Sequence, residues 1–120
     1  MSYKNLKIWM KAREISIDVH KMSLTLPKYE LYETGSQIRR SSKSIRSNIV
    51  EGYGRRVYQN DYLRFLIYSH SSIDETKDHL DTLIETGSLT DETTYHAINE
   101  KLDHLGRMMH NFIQGVQLRN

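Results

Sequence analysis

Apolar residues recur at alternating intervals of four and three along almost the whole chain. Ile8, Ala12, Ile15, Val19, Met22 and Leu26 form a first run, and Pro27, lacking the N–H that would continue a helix, ends it. Leu31, Gly35, Ile38, Ser42, Ile45, Ile49 and Gly52 repeat the alternation. Tyr62, Leu66, Ser69, Ile73, Thr76, Leu80 and Leu83 make a third run, with Gly87 placed to cap its end. Tyr95, Ile98, Leu102, Leu105, Met109, Phe112 and Val116 make a fourth. Its start is expected at Thr90, followed by Asp91 and Glu92 at the positive end of the helix dipole.

A period of 3.5 residues gives each helix a narrow seam and packs the set with a left-handed twist. The pattern predicts an all-α protein, an antiparallel up-down-up-down four-helix bundle, with residues 1–120 as one domain. Short connections near 27–30, 53–60 and 87–90 favour antiparallel neighbours. Folding the second run back on the third pairs positions whose numbers sum to about 114 in an antiparallel hairpin. Leu31 then faces Leu83, Ile38 faces Thr76 and Ile45 faces Ser69. Gly35, Ser42 and Gly52 would let these two backbones approach closely. The polar seam positions make this hairpin the weaker half and suggest a second packing surface for an oligomer.

The absence of cysteine excludes disulfides and thiolate metal sites. The longest continuous apolar run, Phe65-Leu66-Ile67-Tyr68, is far too short to cross a bilayer, and the first residues show no signal-peptide pattern. These features predict a cytoplasmic protein with no membrane partner. A formal charge of +2 conceals strong polarity. Residues 1–56 carry twelve Lys/Arg against five Asp/Glu, and residues 57–120 carry five against ten. Such a division suits a polyanion-binding face, or a basic half that packs against an acidic half within or between subunits.

Ser36 to Arg56 concentrates the basic character, with six cations and one acid. Arg39, Lys43 and Arg46 fall on one stripe beside the seam, flanked by Tyr32 and Tyr53, and Arg55, Arg56 and Tyr58 extend it. Cations neutralise phosphates and tyrosines stack on unpaired bases, so Arg39, Lys43, Arg46, Arg55, Arg56 and Tyr53 are the candidate nucleic-acid contacts. The competing expectation is that Arg39 or Arg40 pairs with Glu75. Asn48 and Glu51 lie beside the seam and, with Ser72 and Glu75, are candidates for an interhelical or intersubunit polar network. The six histidines lack the spacing of a helical metal pair, so no metal and no cofactor is predicted.

Ser44-Ile45-x-x-Asn48-Ile49-x-Glu51-Gly52-x-Gly54-Arg55 resembles a signature of the bacterial S23 ribosomal, or 23S rRNA intervening-sequence, protein family. Further similarity lies in Leu6, Trp9 and Ala12, in Pro27, in Gln37-Ile38-Arg39-Arg40, in Phe65-Leu66, and in Ser72-Ile73-x-Glu75. Arg46 stands where the family commonly has proline, and Ser71 where glycine is usual. The resemblance implies a four-helix bundle assembling as a ring, a homopentamer. Relatives include proteins encoded within 23S rRNA genes and accessory proteins of diversity-generating retroelements, which bind nucleic acid and a reverse transcriptase. The implied partners are other copies of the chain, RNA or DNA, and a protein.

The rival readings are a scaffold binding another protein through Trp9 and exposed tyrosines, and a ribonuclease. For the latter, Arg64 and His70 resemble the Arg/His pair of helical nucleases of the HEPN class. They lie about 240° apart around an ideal helix, which opposes cooperation within one chain. No catalytic residue and no enzymatic activity are therefore predicted.

Overall fold

The structure is a computed structural model describing residues 2–119. Four helices run along a body of 48 × 23 × 21 Å: α1 (Lys7–Ser23), α2 (Thr34–Gly54), α3 (Gln59–Glu85) and α4 (Glu92–Gln117). They form the antiparallel up-down-up-down bundle expected from the heptads. α1 packs on α2 and α4, and α3 packs on the same two, so α1 and α3 lie diagonally across the bundle. No strand occurs among the described residues.

The seams meet in a continuous core. Ile15, Val19, Ile38, Ile45, Ile49, Leu66, Ile73, Leu80, Leu83, Leu102, Leu105 and Met109 are all fully buried. Each contributes about 1.5–3 kcal/mol relative to exposure. The register of the α2–α3 hairpin follows the expected sum: the Ser69 hydroxyl donates to the Ile45 carbonyl at 2.7 Å. Gly52 supplies the close approach, since a Cβ there would lie 3.1 Å from Phe65 Cβ and 3.2 Å from Tyr62 Cδ1.

Two boundaries differ from the sequence expectation. α2 begins at Thr34 because Lys28–Leu31 form a separate 3₁₀ turn that reverses the chain after Pro27. This turn buries Glu30, whose Oε1 accepts from the Gly35 N–H at 3.4 Å and occupies one unpaired donor of the helix start. A Cβ on Gly35 would meet the Glu30 carbonyl oxygen at 2.4 Å, so this glycine accommodates the turn rather than α3. Leu31 is consequently half-exposed rather than buried in the seam. α4 is capped by Asp91, not Thr90: its carboxylate accepts from the Thr94 N–H and hydroxyl at 3.2 and 2.8 Å. α3 ends as expected, with Gly87 at φ 81°, where a Cβ would be strained.

Candidate functional site

The basic stripe of α2 divides into packed and free cations. Arg39 is partly buried under the 28–31 turn, where Nη2 donates to the Leu31 carbonyl at 3.0 Å and Nη1 is buried without a partner. It anchors the turn, which occupies part of its guanidinium. Arg46 lies over the Trp9 ring, 5.3 Å from its centroid, and donates to Ser16 Oγ at 3.1 Å. Both lie one step round from the seam, where burial begins. Lys43 is exposed, as is Arg40 one turn earlier. Glu75 pairs with His79 at 3.2 Å and forms no ion pair with Arg39 or Arg40, although Arg40 and Glu75 line one shallow depression between α2 and α3.

At the α2–α3 turn, Arg55 bridges Glu51 and Asp61 at 3.2 and 3.8 Å and stacks on Phe65 at 5.0 Å. Arg56 stacks on Tyr53, with 4.0 Å to the ring centroid, and donates to the Tyr53 carbonyl. Tyr58 is exposed beside it. Burial pushes the Tyr62 phenol above its usual range, opposed by the nearby positive charges of Arg119 and Arg56. Arg119 therefore joins this end of the bundle, 63 positions from Arg56. Sequence reading missed it for lack of any local signal. Arg40 carried a signal: two residues from seam position Ile38, it falls on the outward face of α2.

Charge across the molecule remains largely uncompensated. Among the described residues, Lys11 and Arg55 are the only Lys or Arg side chains of the first 56 positions in ion pairs. Arg55–Asp61 is the only pair joining a cation of that half to an acid of the other. The main bridge between halves runs the opposite way: Lys101 of α4 holds Glu14 at 2.8 Å and Asp18 of α1. The hydrogen bond from Lys101 lowers the Glu14 pKa, and hydrogen bonds to Asp18 and Glu14 raise that of Lys101.

The expected polar network exists in reduced form. Asn48 donates to the Ser44 hydroxyl and carbonyl, each at 3.0 Å, and the Ser72 hydroxyl donates to Ser44 Oγ at 3.1 Å. Ser41 and Thr76 continue it, 2.8 Å apart. Glu51 and Glu75 stand outside, exposed and each paired with the residue four positions on. Trp9 is 8% exposed and offers no ready anchor to a protein partner. Arg64 rests on Asp61 at 3.4 Å, on the exposed side of α3, while His70 is partly buried. No cluster of three metal-ligating side chains occurs among the described residues, and no described helix is long and apolar enough to cross a membrane.

A four-helix bundle with an uncompensated basic α1–α2 side is the class that these features define. The chain belongs to the 23S rRNA-intervening sequence protein family, whose model matches residues 4–111. A similar solved structure is a protein of unknown function from the S23 ribosomal protein family of Bacteroides thetaiotaomicron VPI-5482. It superposes with a TM-score of 0.79 at 24% identity, covering 88% of this chain and 97% of the other. At that identity the likeness concerns the fold. Comparison with curated proteins gives no match.

Proposed function

We propose that this chain is a non-enzymatic nucleic-acid-binding protein of the bacterial cytoplasm that acts as a closed ring, of five copies by family resemblance, with RNA as its ligand. The carrying observation is the set of exposed cations without carboxylate partners, above all Arg40, Lys43 and Arg56. A cation held by a carboxylate gains little from a phosphate; one facing only water releases counterions from the nucleic acid when it binds. Arg56 on Tyr53, with Tyr58 beside it, adds an aromatic surface for unpaired bases. The family's description as a 23S rRNA-intervening sequence protein supports RNA over DNA. Arg39 and Arg46 act in this reading as packing residues, and Arg55 contributes through the charge left after Glu51 and Asp61.

A salt titration of binding to single- and double-stranded RNA and DNA tests the proposal. Affinity should fall steeply with salt, each phosphate contact contributing about 0.7–0.9 to the log–log slope. Replacing Arg40, Lys43 and Arg56 together by Gln should reduce that slope by about two to three while helicity is kept. Absence of retention at low salt would replace this reading with the protein-binding scaffold.

A further inference from the structure

We propose that the groove between α1 and α2 receives the outer ridge of α3 from a second copy of the chain, joined head to tail with the bundles parallel. The inference deepens the ring reading above, on which it rests, by naming its two mating surfaces. The groove, about 740 Å³, is lined mainly by apolar surface and has two unlike ends. Tyr3, Trp9 and Val50 make one end apolar; His20, Lys21 and Lys43 make the other basic. Trp9 Nε1 is buried without an acceptor, which a neighbour bringing an oxygen would supply. Neither Lys21 nor Lys43 has a carboxylate partner among the described residues.

The outer ridge of α3 carries the complementary sequence of properties. Ile67 and Tyr68 are each 48% exposed, large for apolar side chains at mid-helix. Asp74 and Asp78 follow on the same outward face, exposed and in no ion pair. From Trp9 to Lys21 the groove spans about 18 Å of helix, and from Ile67 to Asp78 the ridge spans about 16 Å. Apolar end meets apolar end and acid meets base only if the incoming α3 runs parallel to the α1 that receives it. Glu51, the acid at the apolar end of the groove, then falls near Arg64 at the start of the ridge.

Geometry gives this match a consequence. α1 and α3 of one chain point the same way, so a parallel α3 from the neighbour keeps every bundle pointing the same way. That is the arrangement generated by rotation about an axis along the helices. Groove and ridge are different surfaces, which makes the contact heterologous, and such a contact closes a ring when the rotation closes. It also answers the charge polarity: the basic α1–α2 side and acidic α3, which barely neutralise each other within a chain, do so between chains. His20 and Lys21 meet the neighbour's acids, while Lys43 at the lip of the groove, with Arg40 and Arg56 outside it, remains for nucleic acid.

Light scattering behind a sizing column tests the contact through charge reversal. His20→Glu with Lys21→Glu reverses the groove; Asp74→Lys with Asp78→Lys reverses the ridge. Each pair alone should reduce the particle to the 14.2 kDa monomer with its helical circular dichroism intact. The chain carrying all four changes should regain the wild-type mass, because the reversed surfaces again attract. Retention of wild-type mass by either pair, or a folded fourfold variant that stays monomeric, would overturn the inference and leave the ring reading standing. A monomeric wild type at micromolar concentration would remove both.

Discussion

Two glycines show how much one missing methyl group decides. At Gly35 a Cβ would press on the Glu30 carbonyl at 2.4 Å, and backbone cannot move aside without undoing the turn that starts α2. Gly35→Ala should therefore destabilise the fold by about 1–3 kcal/mol, the usual range for forced overpacking. At Gly52 the nearest atoms are the Phe65 Cβ and the Tyr62 ring, 3.1–3.2 Å away. There a small adjustment of α3 is offset by the roughly 0.8–1 kcal/mol that alanine gains over glycine within a helix. Gly52→Ala should lie within about 1 kcal/mol of wild type. Urea unfolding of both variants checks the contrast; equal losses would show that the 28–31 turn yields as readily as the α2–α3 contact.

Between elements, the Lys101 bridge ties α4 to α1 through Glu14 and Asp18, and its pH dependence has a definite sign. Glu14 has a lowered folded pKa, so its contribution is complete above its unfolded value of about 4.3 and disappears as pH falls through the lower folded one. Lys101 has a raised pKa, so its contribution is complete below about 10.4 and disappears as pH rises through the higher folded value. The side chains are partly exposed and screened by water, which keeps the contribution below about 1 kcal/mol. Wild type should exceed Lys101→Met in urea midpoint by a constant margin from about pH 5 to 10, shrinking at both extremes. A margin that grows toward acid would show that the bridge is not the source. The α2–α3 pair is joined differently, by the hydroxyls of Ser69, Ser72 and Thr76 against Ile45, Ser44 and Ser41. Small polar side chains let these helices approach while their hydrogen bonds offset the burial of oxygen.

At the scale of the whole molecule, Arg64 and His70, the candidate pair for cleaving RNA, fall about 240° apart around α3. Hydrolysis requires a placed general acid or base and a group that stabilises developing phosphate charge. Arg64 sits on the exposed side of α3 against Asp61, and His70 is turned partly inward. Purified protein should show no metal-free ribonuclease activity, and His70→Ala and Arg64→Ala should match wild type. Reproducible cleavage lost in both variants, with assembly intact, would make the protein an enzyme with a site shared between copies. The division of charge instead serves assembly and polyanion binding in the readings proposed above, both of which weaken as salt screens the two faces.

Heptad spacing and the short connections together determined the four helices, their antiparallel order and the register that sets Ser69 beside the Ile45 carbonyl. A seam of apolar residues can be buried on only one side, and a short connection leaves the next helix few places to lie. Glycine and serine at seam positions likewise announced close packing, correctly at Gly52. The start of α2 was not legible, because a buried Glu30 held by a later backbone N–H leaves no periodic trace. Nor could the stripe Arg39–Lys43–Arg46 be sorted by spacing: positions one step from the seam lie at the edge of burial. Only the neighbouring elements decided that Arg39 would anchor a turn and Arg46 would cover Trp9, while Arg40 and Lys43 would face solvent. The same reason holds for the groove and for Arg119, since both bring together residues far apart in the chain. Local periodicity reports which way a side chain points from its own helix; what it meets there depends on the helix packed alongside.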